Sequence, residues 1–136
     1  MIYVDGSGWN GNSCAICVLT EKKKYLKVYY SEKTNNECEY LAMLEGLKRA
    51  KIGEIIYTDS KLVEGQIMKG WKCNFENLRE MRDDALKLVA RKELKIYWCP
   101  RSYNKAGWIL EARLEKIKAD IRTTVAPRAR RRVWNY

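Results

Sequence analysis

The 136 residues contain no histidine, and no run of apolar residues approaches the roughly 18 that a membrane-spanning helix requires. Without histidine, a zinc site would have to be built from thiolates and carboxylates alone. No signal peptide opens the chain. We therefore expect a soluble, cytoplasmic protein that has no membrane partner. We also expect a monomer, although these absences do not bear on the oligomeric state.

Cysteine occurs five times, an odd number. Cys14 and Cys17 have the spacing of a metal or redox pair, but they lie inside an apolar segment, Ser13–Leu19, that is typical of a strand. An offset of three sends two strand side chains to opposite faces, so this pair cannot share a metal ion. We predict buried structural thiols. One disulfide remains open for a hyperthermophilic source.

Positive charge dominates the chain. Lysine and arginine total 27 against 17 acidic residues, which gives a formal net charge of +10 and favours a polyanionic partner. The length suits a single domain, predicted over residues 1–122, followed by a basic C-terminal tail over residues 123–136. The tail could grip nucleic acid, dock on the domain or simply be solvated.

Apolar periodicity predicts three strands followed by strands that alternate with helices. The predicted strands cover residues 2–5, 13–20, 25–31, 55–58 and 94–99. The predicted helices begin near residue 36, cover 61–69, lie around 78–89 and cover about 105–121. This order indicates an α/β fold with a five-stranded mixed sheet and helices on both of its faces.

Three acidic residues stand where strands and helices could bring them together. Asp5 and Asp59 each end an apolar strand, and Glu39 lies early in a predicted helix. Each acid alone has a simpler explanation, in turn chemistry or in the helix dipole. Clustered carboxylates repel one another, so a hard divalent cation is their natural counter-charge.

A phosphodiester can be hydrolysed at such a site. The reaction needs an activated water and positive charge near the leaving oxygen, and two Mg²⁺ or Mn²⁺ ions supply both. We predict that Asp5 bridges the two ions, while Glu39 and Asp59 hold the ion on the leaving-group side.

Three motifs in register resemble type 1 ribonuclease H. They are Asp5-Gly6-Ser7, the stretch Thr34–Tyr40 with Leu44–Leu47, and Thr58-Asp59-Ser60. The resemblance covers Ile2 to about Glu111. It implies the ribonuclease H-like fold and an endonuclease that cuts the RNA strand of RNA–DNA hybrids and leaves 5′-phosphate products.

The resemblance also implies substrate-binding residues. In the family, the equivalent asparagines read RNA 2′-hydroxyls, the threonine helps to seat a DNA phosphate, and glycines allow the backbone to approach the RNA strand. The corresponding positions are Thr34, Asn35, Asn36, Gly6, Ser7 and Gly8. Helix N-capping is an equally good explanation for Thr34 or Asn35.

The chain departs from the family at the fourth acid, which usually follows an Asn-x-x-Ala sequence. Gly107 or Trp108 occupies that position here, depending on the alignment, and neither can bind metal. Glu111 lies about one helical turn further on, and its side chain leans back toward the helix start. We predict Glu111 as the fourth catalytic ligand, with Asn104 as the neutral alternative and a solvated helix surface as the simplest one.

Two further departures concern substrate contacts. The mobile histidine of many members is missing, and Arg101 could contact a phosphate in its place. The basic handle is reduced to the segment Met68–Asn74, in which Trp71 could stack on a sugar and Lys72 could meet a phosphate. This compact form resembles the archaeal and viral-type branch.

Two other functions stay open. One is a nucleic-acid-binding module that kept the fold and lost catalysis, and the other is a nuclease of the same fold that acts on double-stranded RNA or branched DNA. The three intact acids favour catalysis, and Thr34–Asn36 favours recognition of an RNA strand.

Overall fold

The computed structural model describes the backbone of residues 1–134 and the side chains of residues 1–123. The strands are β1 (Ile2–Ser7), β2 (Cys14–Leu19), β3 (Lys24–Tyr29), β4 (Ile55–Thr58) and β5 (Lys95–Trp98). The helices are α1 (Asn35–Arg49), α2 (Lys61–Met68), α3 (Glu76–Lys92) and α4 (Lys105–Trp134). A single 3₁₀ turn, Arg101–Tyr103, precedes α4.

The five strands form one mixed sheet in the order β3-β2-β1-β4-β5. β1, β2 and β3 pair antiparallel, whereas β1, β4 and β5 run parallel. β1 is therefore the central strand, and the carboxyl ends of β1 and β4 lie side by side at one edge. The five-stranded mixed sheet predicted from the element order is confirmed.

Helices cover both faces of the sheet and create two apolar cores. The larger core packs α1 and α3 against residues such as Ile2, Val4 and Ile56. The smaller one packs Ala106, Leu110 and Leu114 of α4 against β2. Cys14 belongs to the first core and Cys17 to the second, so the prediction that they face opposite sides is confirmed. All five cysteines are free and buried.

α1 begins where the sequence specifies a helix start. Thr34 is its N-cap: the Thr34 side chain accepts a hydrogen bond from the Glu37 backbone, and the Glu37 side chain accepts one from the Thr34 backbone. Such a capping box satisfies backbone donors that the first helical turn would leave unpaired. This cap fixes the position of Glu39, which lies in the second turn.

α4 is longer than predicted: its backbone continues to Trp134, well past the expected end near residue 121. Alanine and arginine, which are frequent in this stretch, are strong helix formers. The side chains of residues 124–136 lie outside the described residues, so the domain boundary at residue 122 and the role of the basic tail stay predictions. Across the residues that the structure describes, no helix combines the length and apolarity needed to cross a membrane.

Candidate active site

Three carboxylates from separate parts of the chain converge at the carboxyl edge of β1 and β4. One oxygen from each of Asp5, Glu39 and Asp59 lies within 4.8 Å of the others. The register explains the meeting of the aspartates, because Val4 pairs with Thr58 and each aspartate is the next residue on its strand. Asp5 and Glu39 are buried, and Asp59 is half-buried.

Glu39 is fixed by the backbone of the strand that carries Asp5. The Gly6 N–H donates a 2.7 Å hydrogen bond to Glu39 Oε1. Gly6 must be glycine for this contact, since a Cβ there would overlap the Cys38 carbonyl. The glycine that follows Asp5 therefore has a packing role between β1 and α1, in addition to the substrate role that the resemblance implies.

Asn104 connects the ends of the two strands. Its side chain is fully buried, and its Nδ2 donates to the Val4 carbonyl at 2.9 Å and to Asp59 Oδ2 at 3.1 Å. Its Oδ1 accepts a hydrogen bond from the Ala106 N–H and so caps α4. Because both ends of the amide are engaged, this geometry gives Asn104 a positioning role and weakens the case for it as a metal ligand.

Of the two positions that could correspond to the family's fourth acid, Gly107 lies directly beside Asp5. A Cβ built on Gly107 would stand 3.1 Å from Asp5 Oδ2, so the first turn of α4 presses its backbone against that carboxylate. Glu111 lies one turn further along, is exposed, and pairs with Arg101 at 3.7 Å. Within the described residues, the group of carboxylates sharing the 4.8 Å distance does not include Glu111.

The buried carboxyls have raised pKa values. Loss of hydration is the main cause for Asp5, and repulsion from Asp59 raises its pKa further. Burial likewise raises the pKa of Glu39 most, followed by repulsion from Asp5 and Asp59. Arg101 offsets this only in part, by lowering the pKa of Asp5. A divalent cation would supply the charge needed to ionise the whole cluster, so the donor set fits such an ion.

Cation binding to this cluster should tighten as the pH rises. The raised pKa values mean that Asp5 and Glu39 keep protons above their ordinary range near pH 4, and an incoming cation must displace them. We expect the affinity for Mn²⁺ to increase between about pH 6 and pH 9 with release of protons. Calorimetry in two buffers of different ionisation enthalpy measures that release, and a pH-independent affinity would contradict it.

Most of the residues predicted to bind substrate flank the cluster carboxylates in sequence, after Asp5 in β1 and before Glu39 in α1. Asn35 Oδ1 accepts a 3.1 Å hydrogen bond from the Gly8 N–H, and a Cβ on Gly8 would crowd the Asn35 backbone. Asn36 is exposed on the first turn, and Ser7 is the half-buried last residue of β1. Capping is thus observed for Thr34, while its substrate role and those of Asn35 and Asn36 stay predictions.

Trp71 packs on the helix that precedes it. A Cβ on Gly65 of α2 would overlap the indole, so the ring lies directly on the helix backbone. Trp71 as a whole residue remains 45% exposed, and Lys69 Nζ lies 5.9 Å from the centroid of its ring. The Lys72 carbonyl accepts a hydrogen bond from Gln66 of α2, and its exposed side chain remains available. The handle is therefore a turn packed on and hydrogen-bonded to α2, and its substrate role stays a prediction.

Gly65→Ala should dislodge Trp71. The added methyl would overlap the indole, and overpacking of this kind typically costs about 1–3 kcal/mol. We expect that loss in the free energy of urea unfolding, and we expect Gly65→Ala to cost little when Trp71→Ala is already present. Fully additive losses in this double-mutant cycle would show that the ring does not lie on Gly65.

Trp98 is a residue of this region that the sequence did not single out. Its Nε1 donates a 3.0 Å hydrogen bond to the Asp59 carbonyl, across 39 residues of chain. A tryptophan at the end of an apolar strand is ordinarily explained by packing. Only the register of β4 with β5, which pairs Thr58 with Trp98, places its ring beside the main chain of Asp59.

A family model and two curated relatives, compared with this sequence, all point to the same family. The sequence matches the family model for RNase H over residues 1–109. Ribonuclease H of Trichodesmium erythraeum (strain IMS101) is 39% identical over 77 residues, covering 52% of this chain and 48% of that protein. The chain spans about half the length of the curated relatives it matches.

Solved structures share the fold. RNase H1 of the halophilic archaeon Halobacterium salinarum NRC-1 superposes with a TM-score of 0.66 at 25% identity, covering 80% of this chain and 91% of that one. LC11-RNase H1, isolated from compost by a metagenomic approach, was solved with an RNA/DNA hybrid. That complex superposes with a TM-score of 0.61 at 24% identity, covering 80% of this chain and 91% of the other.

Proposed function

The chain belongs to the RNase H family, and from that premise we propose that it is a metal-dependent endoribonuclease hydrolysing the RNA strand of RNA–DNA hybrids. The observation that carries the proposal is the convergence of Asp5, Glu39 and Asp59 within 4.8 Å. The net charge of +10 suits a nucleic-acid substrate. The hybrid bound to LC11-RNase H1, a protein of the same fold, supports this choice of substrate.

Two Mg²⁺ or Mn²⁺ ions fit the donor set. Asp5, Glu39 and Asp59 would hold them. Glu111 is the proposed fourth ligand: its exposed carboxylate lies one turn of α4 beyond Gly107, and it would leave Arg101 to reach an ion. When bound, the ions would supply an activated water and stabilise the charge that develops on the departing 3′-oxygen. Cleavage of that bond gives a 5′-phosphate product.

The chain's own residues orient this chemistry. The Gly6 N–H aligns Glu39, and the Asn104 amide aligns Asp59. In a preorganised site, packing and additional hydrogen bonds hold each ligating side chain in the orientation that the reaction needs. Arg101, exposed beside Glu111, can meet a phosphate near the scissile one.

Substrate recognition in this proposal uses the surface around the cluster. Exposed groups at the α1 start meet sugar hydroxyls and phosphates of the two strands, and the handle on α2 meets the DNA strand. The residues proposed for these contacts are Gly6, Ser7, Gly8, Thr34, Asn35, Asn36, Trp71 and Lys72. Assignment to the archaeal and viral-type branch and a monomeric state stay predictions.

A substrate panel tests the activity. Labelled hybrid, double-stranded RNA and DNA duplex are each incubated with Mg²⁺, with Mn²⁺ or with chelator. We expect cleavage of the RNA strand of the hybrid only, dependent on the metal. Preferred cleavage of double-stranded RNA or branched DNA would identify a different nuclease of the same fold. Tight binding without cleavage under every condition would identify a non-catalytic module, the alternative that Gly107 favours.

Glu111→Gln tests the fourth ligand. Neutralising this carboxylate should lower the metal-dependent cleavage rate by about tenfold or more, since each 1.4 kcal/mol of lost stabilisation is a factor of ten. Glu115→Gln, one turn further along α4 and exposed, is the matched control and should cleave like the parent. Full turnover by Glu111→Gln would remove Glu111 from the ligand set.

A further inference from the structure

A second aromatic residue, distinct from the handle, borders the carboxylate cluster. Trp98 is the last residue of β5, one of the two strands at the edges of the sheet. It is 39% exposed, although indole rings usually bury most of their area. Its Nε1–H is already satisfied by the Asp59 carbonyl, so the ring is held in one orientation. A fixed, exposed aromatic face costs little conformational entropy when it binds a ligand.

A cation lies over this ring. Lys61 is the first residue of α2, two residues after Asp59, and its Nζ stands 4.7 Å from the centroid of the Trp98 ring. Its side chain is exposed. The pair therefore presents an aromatic surface and an ammonium group together beside Asp59, whose carbonyl Trp98 bonds and which Lys61 follows by two residues.

α2 connects this pair to the handle. The Trp71 ring packs on Gly65. Gly65 lies one helical turn after Lys61 and therefore on the same side of α2. The rise of a helix places the two positions about 6 Å apart along its axis. Trp98, Lys61, Trp71 and Lys69 thus alternate aromatic and basic groups along one side of α2. Alternation of this kind suits a nucleic acid strand, whose sugars and bases pack on rings while its phosphates meet cations.

We propose that Trp98 and Lys61 form a nucleic-acid contact on the β5 side of the carboxylate cluster. The Trp98 ring packs against a sugar or base, and Lys61 meets the adjoining phosphate. The contact extends the surface of the handle up to Asp59, and it rests on the proposed function in that its ligand is the nuclease's own substrate.

Binding in chelator separates this contact from catalysis. Fluorescence anisotropy measures the affinity of the full chain for labelled hybrid at several salt concentrations, without cleavage. Trp98→Ala should weaken binding about tenfold, within the range for loss of one stacked base. Trp98→Phe should keep most of the affinity, because it retains a ring face while losing the hydrogen bond to Asp59.

Lys61→Gln tests the cation independently, since an exposed substitution at a helix start leaves the fold intact. It should weaken binding and lower the slope of log affinity against log salt by about one. Lys95→Gln is the matched control, because Lys95 is exposed at the opposite end of β5 and should leave the slope unchanged.

Two results would overturn the contact. Parent-like affinity and salt slope in both Trp98→Ala and Lys61→Gln would show that no strand passes here. An equal loss in Trp98→Phe and Trp98→Ala would show that only the hydrogen bond to Asp59 matters. Failure of the proposed function has a separate readout, the absence of metal-dependent hybrid cleavage by the parent chain. Even in that case, binding of a duplex through Trp98 and Lys61 would support the contact.

Discussion

Asp5→Asn is expected to abolish cleavage and, in the presence of chelator, to stabilise the protein. The substitution keeps the shape of the side chain and removes its charge. Cleavage should fall at least a hundredfold, because charge stabilisation by bound metal contributes several kcal/mol to such reactions. A gain in stability from the loss of a catalytic residue distinguishes this site from an ordinary buried polar group.

The sign of the stability change follows from the pKa. The pKa of Asp5 is raised in the folded chain, mainly by burial, so the folded state binds its proton more tightly than the unfolded state does. The carboxyl costs nothing below its ordinary pKa. As the pH rises above that value the cost grows, because the unfolded state loses the proton first, and the cost is complete above the folded pKa of about 7. At pH 8, Asn should therefore stabilise the metal-free protein by roughly 1–3 kcal/mol.

Thermal unfolding with and without metal measures this effect. We expect Asp5→Asn to melt higher than the parent in chelator, by about 4 °C for each kcal/mol, and the gap to shrink as Mg²⁺ stabilises the parent. Asp84→Asn, an exposed acid of α3, is the matched control and should leave both the melting temperature and cleavage unchanged. A lower melting temperature for Asp5→Asn in chelator would show that the carboxylates do not repel one another as described.

Asn104→Ala is expected to cause the largest loss of stability among these changes. It removes two donated hydrogen bonds, leaves the buried Val4 carbonyl without this donor, and removes the cap of α4. Together these losses are worth about 3 kcal/mol, or a fall of about 10 °C in melting temperature. Because Asp59 also loses its partner, Mn²⁺ should bind more weakly even well below the new melting temperature.

Asn104→Ser separates the two roles of Asn104. Serine can still cap α4, but its side chain is too short to reach both Val4 and Asp59, so it should recover part of the stability and little of the Mn²⁺ affinity. Calorimetric titration of the folded variants measures that affinity. Parent-like melting and Mn²⁺ binding in Asn104→Ala would show that this amide does not position the cluster.

The carboxylate cluster was accessible from sequence because each member carries a local signal. Asp5 and Asp59 each come directly after a short run of apolar residues, and parallel neighbouring strands bring two such positions together at one end of the sheet. Glu39 lies in a helix whose start is specified by Thr34 and Glu37. These two residues lie three positions apart and bond each other, so they need no distant partner.

The contacts that surround those carboxylates were not accessible in the same way. Asn104 donates to Val4 across 100 residues and Trp98 to Asp59 across 39, so both bonds depend on how the whole sheet is assembled. A buried amide and a strand-end tryptophan carry no periodic pattern that would reveal a distant partner. Likewise, the need for glycine at position 6 follows from the approach of α1 to β1, which only the packed structure shows.

Anomalous diffraction from crystals soaked in Mn²⁺ tests the central claim most directly. The account predicts at least one Mn²⁺ peak coordinated by oxygens of Asp5, Glu39 and Asp59, and the loss of that peak in Asp5→Asn. Manganese bound only elsewhere on the protein, with these three carboxylates left uncoordinated, would contradict it.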